Sequence, residues 1–311
     1  QSFLEDLYSA YKYPLRNNNG QNCGMRGENG HISIAVRRCA TRAVMARYGV
    51  ETKADYADVT FDIVGLWDTV EALGFPDFQE NVDVVNPRYA DQICNMERVF
   101  HAVSLDDNRA STYTPILMTR QWLMRDCDIG TPNRFDGVEE VWFAGDHAQV
   151  GGTEQRGHIA GVSLNWMLER IRAETPRGHL ILPPDAKVFE QPLDFIKDAE
   201  GQSLLFRIFS RNSRNPLEYA LTGACDDGDM RSAKPHILIH RSVVEALERQ
   251  TELIPNRRDP DEKLGSALSK DEVLQNRQTL LGEQSSRSGC NRVPVLVSDN
   301  MQDVTNYLAP Q

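Results

Sequence analysis

No stretch of about eighteen apolar residues occurs anywhere in these 311 residues, so no transmembrane segment is expected. Positive charge is in short supply: 34 Lys and Arg stand against 45 Asp and Glu, for a formal charge of −11. An acidic surface repels phosphate backbones, which excludes nucleic acid as the main partner, and Arg37-Arg38 and Arg257-Arg258 are isolated pairs, not a patch. The six cysteines, at 23, 39, 94, 127, 225 and 290, include no Cys-x-x-Cys pair, which removes a zinc ribbon. Cys39 and Cys94 fall in apolar helical patterns, where a free thiol acts as a small hydrophobe, and a reducing compartment is favoured, while the even count leaves disulfides open. No cofactor is expected. The first residues, Gln1-Ser2-Phe3-Leu4-Glu5, have neither the basic nor the apolar region of a signal peptide.

What is present suits a folded chain. Hydrophobic residues make up 40% and charged residues 25%, enough for a sizeable core in one large domain or two smaller ones. A helix is expected over Phe3–Tyr13, with Phe3, Leu4, Leu7, Tyr8 and Tyr11 on one stripe, and a second over Ile32–Tyr48. Thr60–Trp67 is an apolar run of strand type, Tyr89–Val103 reads as a helix, Glu140–Ala144 as a buried strand, and Ile159–Arg172 as a helix. Further strands are expected at Leu204–Phe209, His236–Ile239 and Val293–Val297, and a helix near Lys270–Leu281 within the polar stretch from Pro255 to Arg292. The alternation of strand, polar tip and helix is the rhythm of an α/β fold, a mostly parallel open sheet flanked by helices.

In such sheets ligands gather outside the carboxyl ends of the strands. Two strands here end in ionisable groups, one at Asp68 and one at Asp146-His147. A carboxylate that fixes an imidazole's tautomer, and an imidazole that accepts a proton, are two members of a hydrolytic triad; Asp68 and His147 supply them in acid-then-base order from neighbouring strands. Each residue alone has a plainer reading, as a helix cap or a strand-end histidine. Asp146 is set aside as the acid because adjacent strand residues point to opposite faces. Gly151 and Gly152 would let backbone approach a substrate, or merely form a turn. His101 reads as a satisfied core residue and His158 as exposed.

The same residues resemble a hydrolase family. Phe61–Val70, followed by Leu73-Gly74-Phe75-Pro76, is similar to its GxWDTVxxLGxP block; Phe100–Arg109 to its xHALALDExR block; Val141–Gly152 to VWFPGVHSDVGG; and Ser163–Leu168 to ISLxWML. The family is that of the type VI secretion phospholipase effectors and related fungal and bacterial proteins. The resemblance implies an α/β-hydrolase fold, hydrolysis of lipid or phospholipid esters, Asp68 and His147 as catalytic residues, and a cytoplasmic or secreted effector, with the cytoplasm favoured. Gly151 and Gly152 carry over as substrate-binding parts of their motif. Two departures stand out, Asp146 for the family's Val and Gln149 for its acidic residue.

The family's nucleophilic serine sits in a GFSRGA elbow, and no serine here lies between glycines at that spacing. The resemblance therefore implies a further N-terminal segment or partner chain carrying the nucleophile and the early strands. Without those strands, the Trp67 and Trp142 strands are expected to be hard to bury. Residues 1–250 are read as the hydrolase-like catalytic domain, built from its later strands, and 251–311 as a polar C-terminal segment. A catalytically inactive, hydrolase-like binding or assembly protein is the alternative, and a metal site of Asp68, Asp146 and His147 a third.

Overall fold

The computed structural model describes residues 2–13, 23, 34–51, 61–71, 96–109, 113–119, 134–153, 159–174, 182–183, 185–192, 196, 213–219, 222–223, 234–248, 270–281, 290–291 and 293–308. They belong to two compact units, one of 1–60, 84–95 and 122–132, the other of 61–83, 96–121 and 133–311. The strand expected at Leu204–Phe209, along with His158, Cys94 and most of 251–292, lies outside the described residues.

In the first unit, α1 (Phe3–Lys12) begins at Ser2, whose hydroxyl accepts from the Glu5 N–H while the Glu5 carboxylate accepts from the Ser2 N–H. This reciprocal cap satisfies two N–H groups that the first turn leaves over. Phe3, Leu7 and Ala10 pack on Ala40 and Val44 of α2 (Ile34–Arg47). Leu4, Tyr8 and Tyr11, read into the same stripe, are exposed instead. Cys39 is also not the free thiol expected of an apolar helix: it is bonded to Cys23. Nothing local in the sequence marks that pair, which closes across 16 positions.

The second unit contains, in chain order, β1 (Phe61–Trp67), β2 (Val70–Glu71), β3 (Met96–Ser104), β4 (Thr114–Pro115), β5 (Val138–Phe143), α3 (His147–Val150), α4 (Ala160–Glu174), α5 (Pro216–Tyr219), β6 (Thr222–Gly223), β7 (Ile237–Ile239), α6 (Arg241–Glu248), α7 (Lys270–Gln278), β8 (Cys290–Asn291), β9 (Val295–Val297) and α8 (Thr305–Leu308). Five of the strands form one parallel sheet in the order β1-β3-β5-β7-β9, so this is an α/β fold, and it takes strands from both sides of residue 250. Alternate side chains serve opposite faces. Phe100 and Ala102 of β3 and Val141 and Phe143 of β5 pack on Val162, Trp166 and Met167 of α4. Val103, Trp142, Ile237 and Ile239 meet Val243 and Val244 of α6 and Val273 of α7 across the other face.

This two-sided burial corrects the sequence reading of a helix over Tyr89–Val103 for residues 96–103; 89–95 lie outside the described residues. A strand covered on both faces carries apolar residues without alternation, and its periodicity cannot separate it from a buried helix. Trp142 is well covered, only 2% exposed, contrary to expectation. β1 is less so: its burial is intermediate at best, and Phe61 is 49% exposed.

Along α4 a strap of residues 185–192 is held by Asn165, which donates to the Val188 carbonyl and accepts from the Val188 N–H, both at 2.9 Å. Gly161 permits this approach, because a Cβ there would stand 2.2 Å from the Phe189 carbonyl oxygen. Gly161→Ala must push the strap off the helix and is expected to lower unfolding free energy by about 1–3 kcal/mol, read as a drop in the urea midpoint.

At the end of β7, His240 stacks on Phe143 with ring centres 4.6 Å apart, and its Nδ1 accepts from the Ser242 N–H. Burial pushes this imidazole from 6.5 down to about 4, against the opposing pull of Asp299 and Glu169. The folded state therefore binds fewer protons than the unfolded chain between those values. Its contribution is intact above pH 6.5 and is expected to be lost progressively as pH falls toward 4. His240→Gln, which cannot titrate, should flatten that part of a stability–pH curve measured by urea unfolding.

Candidate active site

The carboxyl ends of β1, β3 and β5 converge on one cluster of polar side chains. β1 delivers Asp68, and the turn after β5 delivers His147. The two strands are not neighbours, as the sequence reading had them: β3 runs between them and contributes Ser104, Asp106 and Asp107 to the same cluster.

Asp68 has φ of 39°, the left-handed region that costs an L-residue other than Gly, Asn or Asp most. Its N–H donates to the Ala102 carbonyl at 2.7 Å, holding the bend. The side chain is then aimed across the tip of β3. Oδ2 lies 2.6 Å from His147 Nδ1, while Oδ1 accepts from the Ser104 N–H at 2.8 Å and from Arg214 Nη1 at 2.6 Å. Asp68 and Arg214 are both fully buried. Burial by itself would raise the Asp68 carboxyl, but the Arg214 charge and the hydrogen bonds from His147 and Arg214 outweigh it and hold the group well below the usual carboxylate range.

With Asp68 ionised, the imidazole donates from Nδ1, and the neutral ring presents its lone pair at Nε2. The His147 side chain is 32% exposed, and among the described residues Nε2 has no hydrogen-bond partner. One edge of the ring is thus fixed in the protein and the other left open. Tyr113 packs beside it with ring centres 5.1 Å apart, and the Arg109 guanidinium lies 4.2 Å over the Tyr113 ring.

Asp107 steadies the backbone of the histidine. Its Oδ2 accepts from the His147 N–H at 3.1 Å and from Arg109 Nη2 at 2.6 Å. Although burial acts to raise this carboxyl too, the bonds from Arg109 and the charge of Arg214 keep it lowered. Asp106 performs the corresponding task for Gly145, two residues before His147. It accepts from the Gly145 N–H at 2.8 Å and from Asn276 at 3.1 Å, and it is forked by Arg277 through the two terminal guanidinium nitrogens, Nη1 and Nη2. Asp106 and Arg277 are buried. Arg277→Met leaves that carboxylate uncompensated and is expected to cost about 3–5 kcal/mol of stability, checked by urea unfolding.

Asp146 does not join the pair. Its carboxylate accepts from the Gln149 N–H at 2.8 Å, and Gln149 Oε1 accepts from the Asp146 N–H at 3.2 Å. The two departures from the family block are therefore one device, a reciprocal cap on the short helix that carries His147. Nor do Asp68, Asp146 and His147 converge as a metal site; among the described residues no group of three or more such ligands does. Gly151 and Gly152 close the turn after α3. Gly151 N–H donates to the His147 carbonyl, and Gly152 is exposed with φ of 76°, which accounts for glycine there. His101 is a satisfied core residue, though in a strand. Its Nε2 accepts from the Thr69 N–H, which puts the ring proton on Nδ1, donated to Glu140 at 2.9 Å.

Sequence reasoning missed Arg214, Arg277 and the roles of Asp106 and Asp107. The two aspartates stand in the motif quoted for the family, whereas the arginines carry no local signal. Residues 3–170 match the family model described as T6SS, phospholipase effector Tle1-like, catalytic domain. No curated protein and no solved structure gives a significant match. No helix among the described residues is long and apolar enough to cross a membrane.

Proposed function

This chain belongs to the Tle1-like family of T6SS phospholipase effectors, and we propose that it is the acid-and-base part of a serine-type ester hydrolase acting on lipid or phospholipid esters. The observation that carries the reading is the 2.6 Å contact between buried Asp68 and His147 Nδ1, with Nε2 left open. His147 takes a proton from the nucleophile through Nε2 as general base, then returns it to the leaving alcohol as general acid. Asp68 fixes the tautomer and stabilises the imidazolium that forms in between. The nucleophile is a serine from a segment outside this chain, as the family's elbow implies. It attacks the ester carbonyl, the alcohol leaves with the proton from His147, and water then cleaves the acyl-enzyme by the same route in reverse. Gly151 and Gly152, in the exposed turn after the helix of His147, bind the substrate through their backbone. The protein acts as an effector, in the cytoplasm or after secretion.

A fluorophosphonate ester tests this on the protein isolated from its native source. One serine should be labelled, with loss of hydrolysis of phospholipid vesicles in proportion. Hydrolysis that resists the probe but disappears with a chelator would sink the serine mechanism. Absence of both labelling and hydrolysis would leave an inert, hydrolase-like binding protein.

A further inference from the structure

We propose that Arg214, from the chain beyond the family-matched residues, is a positioning residue for the Asp68–His147 pair, fixing the plane of the Asp68 carboxylate so that a single oxygen is kept for the imidazole. The inference rests on the reading of that pair as the hydrolytic acid and base.

The geometry is specific. Arg214 Nη1 donates to Asp68 Oδ1 at 2.6 Å and to the Ser104 carbonyl at 2.8 Å, and Nη2 donates to the Tyr113 carbonyl at 2.7 Å. The guanidinium is thereby anchored at two backbone oxygens before it meets the carboxylate. Oδ1 receives a second donor, the Ser104 N–H at 2.8 Å. With two donors converging on Oδ1, rotation of the carboxylate about its Cβ–Cγ bond would break both bonds at once. Oδ2 is held facing His147 Nδ1, and with it the ring orientation and the proton on Nδ1. The Tyr113 anchor extends the same constraint, because Tyr113 also packs on the His147 ring.

A buried arginine beside a buried aspartate has a simpler role, that of supplying a counter-charge. Lysine would satisfy that role, since it keeps the charge. It could not reproduce the planar fork that reaches Asp68, Ser104 and Tyr113 together. The two roles therefore predict different outcomes for Arg214→Lys.

The test reads the imidazole directly and needs no turnover. In the full chain, the Nδ1 proton of His147 is followed by NMR as a low-field signal, assigned by its loss in His147→Ala, and its exchange with water is measured. Arg214→Met should speed that exchange at least tenfold, and Arg214→Lys should give an intermediate acceleration of about threefold or more. Wild-type exchange in Arg214→Met overturns the proposal. Should that variant fail to fold, Arg214→Lys decides: wild-type exchange reduces Arg214 to a counter-charge and overturns it, and faster exchange upholds it. Lack of any low-field His147 signal in the wild-type chain instead overturns the Asp68–His147 reading itself, and this inference with it.

Discussion

His147→Ala is expected to lower kcat for ester hydrolysis in the whole protein by about 10⁶-fold, the loss seen when a triad histidine is deleted. No other described side chain stands where it could replace Nε2. Tyr113 packs beside the ring, and Asp107 is committed to Arg109 and to the His147 N–H. The variant should fold, because the imidazole is partly exposed: its removal opens Asp68 Oδ2 to solvent, while Oδ1 keeps Arg214 and the Ser104 N–H. Release of free acid from phospholipid vesicles measures the rate, and an unchanged urea midpoint shows that the loss is chemical. Turnover within tenfold of wild type would remove His147 from the mechanism.

Asp68→Asn should cost about 10⁴-fold in kcat, with KM little changed, by a different route. Arg214 and the Ser104 N–H both donate at the Oδ1 position, so the asparagine carbonyl oxygen must sit there. That places the amide NH₂ against His147 Nδ1. Facing a donor, Nδ1 must become the acceptor, and the ring proton moves to Nε2, where it blocks removal of the nucleophile's proton. Asparagine is also among the few residues that tolerate the left-handed backbone at this position, so the substitution separates chemistry from strain. Asp68→Ala would confuse the two. Measurement of kcat and KM for both variants separates these contributions, and an Asp68→Asn enzyme of near-normal kcat would refute the tautomer argument.

How much of this was legible in the sequence depended on whether a residue's neighbours were local. The tips of β1 and β5 declared themselves because a short apolar run ends abruptly in ionisable groups. α4 and α7 stand where helices were expected, even though α7 lies in a polar stretch. β3 was misread because Val99, Phe100, Ala102 and Val103 are all buried, and a strand buried on both faces has no alternation to show. The capping pair Asp146 and Gln149 stands in the sequence only as two departures from a motif, and its reciprocal bonds show it as one cap. Arg214 and Arg277 were invisible for a physical reason: their partners lie 146 and 171 positions away, and no local pattern encodes a contact at that distance.

Those separations also govern when the site comes into being. A ribosome that has made residues 61–150 has already produced Asp68, Asp106, Asp107 and His147, but the cation that offsets Asp68 is not yet made, and the one that offsets Asp106 comes later still. Until Arg214 and Arg277 emerge, two carboxylates destined for the interior must stay in water. The loops that bear them cannot settle, and loop closure over such spans is slow. Settling of the proposed acid–base pair is thereby postponed until Arg214 has been made, so a nascent chain carries the residues of the candidate site well before it carries the site.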